Sequence, residues 1–426
     1  MLDIKFVRDN AEMLQKVAQQ KNIKINLKEL IQLDDERKQI SAQVEQLRSE
    51  KNQVSKQIPQ MGEAEKSAAL NKMKLVDEKQ TKLEQKLKPL LEKHKEMMLQ
   101  VPMYIREDVP VGADDSQNQE IEKWPEDGDL PQFDFDPKSH EQLGKDLDII
   151  DFERAAKVGG ARSYIMKGDG ARLESALLKY AQDFITRRGY TLMDVPVIVN
   201  RNNLVGTGHF PGEESEIYYF ERDDKYLVGT SEVSIAGYHQ DEILSEKDLP
   251  KKYAGVSACF RREAGSYGKD THGLYRVHQF YKVEQFVICK DDPALSHKYF
   301  NELLNNSKEF LQFLNLPYRV MNICTGDMGR GKHYMNDIET WMPSRNSYGE
   351  THSCSELLDF QARRLNLRYK DEDGQIHYCY TLNNTVVATP RILIPILENN
   401  QNADGSITIP EVLRPYMDNQ EKINHQ

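Results

Sequence analysis

Two heptad series joined by a short helix-breaking segment restrict the fold of this chain more than any other feature. The first series has its seam at Leu30, Leu33, Arg37, Ile40, Val44, Leu47, Lys51 and Val54. The second has its seam at Met73, Val76, Gln80, Leu83, Leu87, Leu90, His94, Met97 and Val101. Pro59 and Gly62 stand between them and interrupt the helix. Because such a seam is buried only against another helix, the pattern predicts an antiparallel coiled-coil hairpin over about residues 28–101.

The function of this helical arm (residues 28–101) does not follow from the heptads. A dimerisation coil or a spacer fits them, whereas the short break favours a fold-back whose outer faces stay open to a partner. Between residues 28 and 96 there are fifteen lysines and arginines against thirteen aspartates and glutamates, although the chain as a whole carries a net charge of −11. The charge therefore disfavours broad nucleic-acid binding and leaves room for a local contact along the arm.

Length and composition favour a cytoplasmic protein of two or three domains. The 426 residues contain no apolar run long enough for a membrane span, and the N-terminus lacks the layout of a signal peptide. We therefore expect no membrane association. The cysteines are odd in number and have no CxxC spacing, which predicts reduced thiols and no zinc site. They are Cys259, Cys289, Cys324, Cys354 and Cys379.

The rest of the chain is predicted to form an α+β domain. Residues 103–165 are rich in Pro, Asp and Gly and are interpreted as a linker into this domain. An amphipathic helix is predicted over 171–189, followed by a strand over 190–199 that contains Pro196, and a second helix over about 292–314. Further strands are predicted near 225–228, 253–263, 276–289, 318–323, 338–341, 349–353 and 376–382. Mostly antiparallel strands with interspersed helices are typical of this class.

The segment from Cys259 to Glu284 carries the clearest chemistry. Side chains alternate along a strand, so Arg261 and Glu263 are expected on one face, and so are Phe280, Lys282 and Glu284. If the two strands pair as a hairpin, one sheet face presents a cation, an aromatic ring and carboxylates, a set suited to a nucleotide and a small zwitterion. The chain has neither a GxxxxGK[ST] loop nor a GxGxxG fingerprint. ATP, if bound, would then be held by side chains on a sheet.

Several segments in order resemble the seryl-tRNA synthetases, a family of class II aminoacyl-tRNA synthetases, along the whole chain. They are LVGTSEV, FRREAGS, RVHQFYKVEQF, CTGDMG, DFQARR, TLNN and PEVLRPYM, with a hydrophobic strand before Pro196 that looks like the dimer-forming motif 1. The resemblance implies a tRNA-binding domain over 1–102 and a catalytic domain with an antiparallel sheet over 103–426. It also implies a homodimeric serine–tRNA ligase that uses ATP and Mg²⁺ and charges tRNA(Ser), with tRNA(Sec) left open as a second acceptor.

The resemblance also implies roles for individual residues. The serine-binding positions of the family fall on Thr230, Glu232, Arg261, Glu284, Asn383 and Thr385. The ATP-binding positions fall on Arg261, Arg262, Glu263, Val277, Phe280, Glu350, Thr351, His352, Ser353 and Arg391. Glu350 and Ser353 match the residues that hold Mg²⁺. Arg261, Glu263, Glu284 and Arg391 are the implied catalytic residues.

Some positions depart from the commoner bacterial pattern. Motif 3 reads NNTVVATPR, nearer to the eukaryotic form, which leaves the contacts of Asn384 and Thr385 open. The segment from Cys259 to Glu284 resembles motif 2 of the family, and Lys269 and His272 stand where arginine is frequent in its loop. Pro395 falls inside the expected motif 3 helix and is predicted to cost one helical hydrogen bond and to bend the helix.

Two other functions compete with this interpretation. A synthetase homologue could activate an amino acid and charge an acceptor other than tRNA, but the intact arm argues against it. A non-catalytic regulatory homologue could use the arm as a docking coil. Such a protein would be expected to have lost at least one of Arg261, Glu263, Glu284, Glu350 and Arg391, all of which are present.

Overall fold

The computed structural model describes residues 2–265 and 272–425 and divides the chain into two compact units, Met1–Pro102 and Met103–Gln426. The helices of the first unit are α1 (Ile4–Asp9), α2 (Ala11–Gln20), α3 (Leu27–Gln57) and α4 (Glu63–Gln100). Between α3 and α4 lie a short 3₁₀ turn, Ile58–Gln60, and Gly62, which is the N-cap of α4. The predicted break at Pro59 and Gly62 is therefore confirmed.

The predicted antiparallel hairpin is confirmed by the pairing of α3 with α4. Lys93 pairs with Glu29 near the base, and Arg48 pairs with Glu84 further out, each at 2.7 Å. Heptad leucines and Val44 are buried in the seam of α3, and the seam positions of α4 are half-buried. With 31 residues in α3 and about 1.5 Å of rise per residue, the arm extends for about 45 Å.

A buried carboxylate anchors the base of the arm. The side chain of Asp34 on α3 is fully buried, and its Oδ2 lies 2.6 Å from Nη2 of Arg8 on α1. Its Oδ1 lies 2.5 Å from Nη2 of Arg37, and Lys38 is also in ion-pair range. Burial opposes ionisation, but these three cations together hold the pKa of Asp34 well below its usual range. Asp34 therefore ties α1 to α3.

We expect Asp34→Asn to destabilise the base of the hairpin by roughly 2 kcal/mol, because the neutral amide loses the charged hydrogen bonds that the buried carboxylate makes with Arg8, Arg37 and Lys38. Amide hydrogen exchange of residues 27–40 in the full-length chain, followed by mass spectrometry, should show faster exchange. Because the pKa of Asp34 is depressed in the folded chain, wild-type protection should also be present above about pH 4 and fall below it. Asp35→Asn is the matched control: Asp35 is exposed and also pairs with Arg8. Equal exchange in the two variants would contradict the anchoring role.

The second unit contains helices of 6 to 21 residues around a large sheet. Its helices are α5 (His140–Asp146), α6 (Phe152–Gly159), α7 (Gly168–Thr186), α8 (Arg201–Thr207), α9 (Glu232–Tyr238), α10 (Pro293–Phe313), α11 (Phe360–Leu365) and α12 (Leu393–Asn399). The strands up to residue 289 are β1 (Gln119–Trp124), β2 (Ile150–Asp151), β3 (Ile165–Met166), β4 (Thr191–Asp194), β5 (Ile198–Asn200), β6 (Tyr219–Phe220), β7 (Lys225–Leu227), β8 (Ile243–Ser245), β9 (Lys251–Phe260) and β10 (Gln279–Cys289). The later strands are β11 (Tyr318–Asn322), β12 (Tyr334–Met342), β13 (Ser347–Leu358), β14 (Arg368–Lys370), β15 (Ile376–Tyr378), β16 (Tyr380–Thr389), β17 (Ile407–Thr408) and β18 (Lys422–Ile423).

Among the described residues, eight strands form the main sheet in the order β1-β11-β12-β13-β16-β10-β9-β4. All neighbours are antiparallel except β4 and β9, which confirms the predicted α+β class. Side chains of β10 alternate across the sheet. Val283 and Val287 join the core formed with α7 and α10, whereas Phe286 and Ile288 pack into a smaller cluster with Ile235 of α9. The hairpin prediction for β9 and β10 is confirmed.

The strand predicted through Pro196 and the hydrogen bond predicted to be lost at Pro395 are both wrong, while the bend predicted at Pro395 stays a prediction. The strand predicted through Pro196 is two strands, because β4 ends at Asp194 and β5 begins at Ile198. Proline has no N–H for a ladder, so it lies in the gap. Pro395 is the third residue of α12, within the first turn. Because N–H groups at this position have no intrahelical partner, Pro395 removes no helical hydrogen bond.

The helix predicted to end at Gly189 ends at Thr186. No helix in the described part of the chain combines the length and apolarity needed to cross a bilayer.

Candidate active site

A cavity of about 450 Å³ lies over the face of the main sheet that carries Phe280, Lys282 and Glu284. The structure brings thirteen of the fifteen sequence-predicted site residues to its walls. These residues are Thr230, Glu232, Arg261, Glu263, Val277, Phe280, Glu284, Glu350, Thr351, Ser353, Asn383, Thr385 and Arg391. The cavity is thus walled by side chains of both charges. Lys269 lies outside the described residues, and His272 is exposed.

Arg262 and His352 are not brought to the cavity. The side chain of Arg262 is exposed, and its backbone N–H donates to the carbonyl of Glu216 at 2.8 Å. His352 is buried on the opposite face of β13, where its Nε2 donates to the Val386 carbonyl at 3.0 Å. Burial lowers the pKa of His352 to about 4, so the ring is neutral at pH 7. Side chains alternate along β13, so Ser353 lines the cavity and its neighbour His352 does not, while a register shift at Thr351 brings both Thr351 and Glu350 to the cavity.

The chain leaves strand geometry earlier than the alternation of Arg261 and Glu263 predicted. Strand β9 ends at Phe260, and Glu263 has a left-handed φ of +52°. Both side chains still reach the cavity, but through a turn. The Arg261 guanidinium lies over the ring of Phe280 at 5.3 Å, and Glu263 pairs with Arg276 at 3.3 Å. Residues other than glycine rarely adopt a left-handed conformation, so the residue types of this segment did not predict the turn at Glu263.

Thr230 and Glu232 reach the cavity through the start of a helix. Glu232 is the first residue of α9, and its backbone N–H donates to Thr230 Oγ1 at 3.2 Å. The buried Glu232 carboxylate accepts a hydrogen bond of 2.6 Å from Gln361. Burial alone would raise the pKa of Glu232, but Lys332 and His209 outweigh it and the pKa is lowered. Glu232 is therefore a buried anion beside the cavity.

The second buried carboxylate, Glu284, is held from one side. Its Oε2 lies 2.5 Å from Nζ of Lys282 and 3.4 Å from the Thr385 hydroxyl, which donates to it. Burial is the largest influence and raises the pKa of Glu284, while Lys282 opposes the rise. Both contacts end on Oε2, so Oε1 is the oxygen available to a ligand. The alternation predicted for β10 brings Lys282 to the cavity, but its pairing with Glu284 was not predicted.

Arg391 joins motif 3 to the loop of motif 2 and to β13. Its Nη1 donates to the Glu350 carbonyl at 3.0 Å and lies 3.3 Å from the Glu350 carboxylate. Its Nε donates to the carbonyl of Tyr275 at 3.0 Å, and the guanidinium lies over the Tyr275 ring. In contrast, Asn384 faces α10, where its Nδ2 donates to the Leu303 carbonyl at 2.6 Å. The contacts left open for Asn384 are thus those of a core residue, whereas its neighbour Thr385 lines the cavity.

The cavity residues outside the sequence-derived set include His209, Arg330 and Lys332. Lys332 and His209 act on the buried Glu232, and Lys332 also acts on Glu284. Arg330 donates to the carbonyl of Pro211 at 2.5 Å. His209 follows α8, and Arg330 and Lys332 follow β11. These residues come to the sheet only through the tertiary fold. The CTGDMG segment just before Arg330 was the available signal.

The sheet and its charged cavity define a class II aminoacyl-tRNA synthetase. Residues 218–400 match the family model of the tRNA synthetase class II core domain (G, H, P, S and T), and residues 1–105 match that of the seryl-tRNA synthetase N-terminal domain. The chain belongs to the seryl-tRNA synthetase family and is therefore an enzyme, with the activity of a serine–tRNA ligase.

Relatives match along their full length. A serine–tRNA ligase of Deinococcus radiodurans is 45% identical over 421 residues, which are 99% of this chain and 98% of the relative. The crystal structure of seryl-tRNA synthetase from Pyrococcus horikoshii complexed with ATP superposes with a TM-score of 0.90 at 36% identity and full coverage of both chains. The cytoplasmic enzyme of Naegleria fowleri in complex with AMP gives 0.86 at 31% identity, covering 100% of this chain and 99% of that one.

Proposed function

We propose that the cavity converts L-serine and ATP into seryl-adenylate and pyrophosphate, and that serine then passes to the 3′ end of tRNA(Ser). Family membership supports the overall reaction. The observation that carries the assignment to this cavity is the meeting of Glu232, Arg261 and Glu284 on its walls. The ATP and AMP complexes of the related structures support the nucleotide.

The amino acid is proposed to lie between the two buried carboxylates. Glu232 and Thr230 suit its ammonium group, and Arg261 suits its carboxylate because a guanidinium can donate two parallel hydrogen bonds. Glu284 Oε1 then accepts from the serine hydroxyl. Alanine would leave this buried acceptor unpaired, which disfavours its binding. Asn383 and Thr385 close the pocket, and its volume limits threonine.

The nucleotide is proposed to lie along Phe280, Val277 and Glu263, with its adenine stacked on Phe280. A serine carboxylate oxygen attacks the α-phosphorus of ATP, an O–P bond forms, and the bond to the β-phosphate oxygen breaks to release pyrophosphate. No enzyme nucleophile is required. Arg261 at the α-phosphate and Arg391 at the γ-phosphate orient the reactants and stabilise the charge that develops.

For Mg²⁺ we propose Glu350 and Ser353 as the protein ligands. Mg²⁺ is usually held by one or two carboxylates together with substrate phosphates, and the metal would neutralise phosphate charge. The described residues contain no group of three or more His, Cys, Asp or Glu side chains placed for a metal. The buried Asp337, the cross-strand partner of Ser353, has an Oδ1 without a hydrogen-bond partner among the described residues, and burial and then Glu350 raise its pKa. Asp337 Oδ1 is a buried acidic oxygen that suits a cation bound nearby.

The first unit, residues 1–102, is proposed to bind tRNA through its arm, gripping the long variable arm of serine tRNA. Exposed charged side chains along α3 and α4 support phosphate contacts, which would make binding salt-dependent. We propose a cytoplasmic homodimer that pairs through the motif 1 region, where Leu192 of β4 and Ile198 of β5 are apolar and exposed. A comparison of the charging of tRNA(Ser) and tRNA(Sec) tests tRNA(Sec) as a second acceptor.

Serine-dependent exchange of pyrophosphate into ATP tests the activation step. Serine should support exchange, while alanine, threonine and cysteine support little, because only serine satisfies both Glu284 and the pocket volume. Charging of tRNA(Ser) and of tRNA(Sec) is measured with the same enzyme preparation. Exchange without any gain of serine on tRNA would favour the rival function with another acceptor. Absence of exchange with intact fold would favour the non-catalytic homologue.

The Lys282–Glu284 pair generates a pH-dependent prediction. Lys282→Met removes the cation that opposes the raised pKa of Glu284, so this pKa should rise further and the carboxyl should be more protonated at pH 7. The KM for serine should increase about tenfold, or about 1.4 kcal/mol, and should recover as the pH is raised. The KM for ATP should change little.

Lys252→Met is the matched control for Lys282→Met. Lys252 is also on the β9–β10 hairpin and forms an ion pair of 2.8 Å with Glu302, but it does not line the cavity. Its serine KM should stay at the wild-type value across the pH range. A Lys282→Met profile parallel to that of wild type would remove Lys282 from the serine site.

Shortening the arm separates tRNA binding from activation. Deleting residues 42–85 and closing the hairpin with a short glycine-containing loop retains the Asp34 ion pairs at the base. Serine-dependent exchange should be unchanged, while kcat/KM for charging tRNA(Ser) falls by a factor of 100 or more, or about 3 kcal/mol, because contacts to the outer arm are lost. An equal loss in both assays would mean that the arm serves stability rather than tRNA.

A further inference from the structure

A buried hydrogen-bonded cluster lies next to the cavity and is absent from its walls. His140 begins α5, and Glu398 lies in the last turn of α12; both side chains are almost completely buried. His140 Nδ1 lies 2.8 Å from Glu398 Oε1, which also accepts from the backbone N–H of His140 at 2.9 Å. The other ring nitrogen, Nε2, accepts the backbone N–H of Leu274 at 3.2 Å. Nε2 therefore carries no proton, and Nδ1 donates to Glu398.

Glu398 also holds a second segment of the chain. The backbone N–H of Ser344 donates to Oε2 at 3.0 Å, and the Ser344 hydroxyl donates to Oε1 at 2.8 Å. The next residue, Arg345, lies with its guanidinium over the ring of Tyr275 at 4.2 Å. One carboxylate thus reaches Leu274 through His140 and Tyr275 through the Ser344–Arg345 turn.

The segment that receives both connections, Leu274–Val277, forms part of the cavity wall. Tyr275 accepts a hydrogen bond from Arg391, Arg276 pairs with Glu263, and Val277 lines the cavity. Next to it, Gly273 has a φ of +75°, and a Cβ there would lie 2.6 Å from His140 Nε2. The segment is therefore packed directly against the histidine.

We propose that His140 and Glu398 are positioning residues for ATP. They hold Leu274–Val277, and through this segment Arg391 and Glu263, in the arrangement that receives the triphosphate. Neither side chain touches substrate. This role rests on the proposed function of the cavity. His140 lies 134 residues along the chain from Leu274, in the segment that it orients.

Two substitutions of His140 separate the two ends of this connection. In His140→Gln the side-chain oxygen can take the place of Nε2 and accept the Leu274 N–H, whereas in His140→Asn the amide can take the place of Nδ1 and donate to Glu398. In His140→Ala both bonds are lost. We expect the KM for ATP in pyrophosphate exchange to rise about tenfold in His140→Ala and His140→Asn, with the KM for serine within twofold of wild type. His140→Gln should restore most of the ATP effect.

His239→Ala is the matched control. His239 is buried, lies 2.7 Å from Glu242 and 2.8 Å from the hydroxyl of Tyr253, and does not line the cavity. It should lower thermal stability about as much as His140→Ala without changing the KM for ATP. Amide exchange of a peptide covering 272–277 should accelerate in His140→Ala and not in His239→Ala, a readout that is independent of activity.

The outcomes separate this inference from the proposed function. Wild-type enzyme without serine-dependent exchange would overturn the proposed function. If the wild-type enzyme is active and His140→Ala leaves the KM for ATP unchanged, the positioning role is overturned. If His140→Ala raises the KM for ATP and the KM for serine equally, and accelerates amide hydrogen exchange throughout the second unit, then His140 serves only the fold. That result would also overturn the positioning role.

Discussion

The antiparallel pairing of β10 with β9 on one side and β16 on the other is the constraint on which the second unit depends. Because side chains alternate along a strand, one register sends Val283 and Val287 into the core and turns Lys282 and Glu284 towards the cavity. A shift of one residue would exchange these sets. It would bury two charges against α7 and α10 and expose the valines to the ligand. The core and the catalytic surface are therefore specified by the same hydrogen bonds.

The cavity places buried charges where each has a partner. Glu284 is held by Lys282, and Glu232 is stabilised by Lys332 and His209. Burying an isolated charge is costly, whereas a paired and hydrogen-bonded charge is tolerated and stays oriented. The site thus holds two buried carboxyl groups in a fixed arrangement.

Regular patterns in the sequence predicted a large part of the fold, and the family resemblance supplied most of the site residues. The heptads predicted the hairpin, including its break at Pro59 and Gly62, since coiled-coil periodicity depends only on local spacing. The alternation in β10 predicted that Phe280, Lys282 and Glu284 share a face. Positions where the backbone leaves regular geometry were not predicted, such as the left-handed Glu263 and the helix start at Glu232.

The sequence by itself determined the helical arm, the hairpin of β9 and β10, and most of the residues that line the cavity. The arm and the hairpin follow from periodicity, whereas most of the cavity residues follow from the resemblance of ordered segments to the seryl-tRNA synthetases. Only the tertiary structure decided which charges pair, that His352 faces away from the cavity, and that Glu398 and His140 meet Leu274. The physical reason is that these contacts join segments far apart in the chain. Their partners are brought together by sheet register and core packing, which no local pattern encodes.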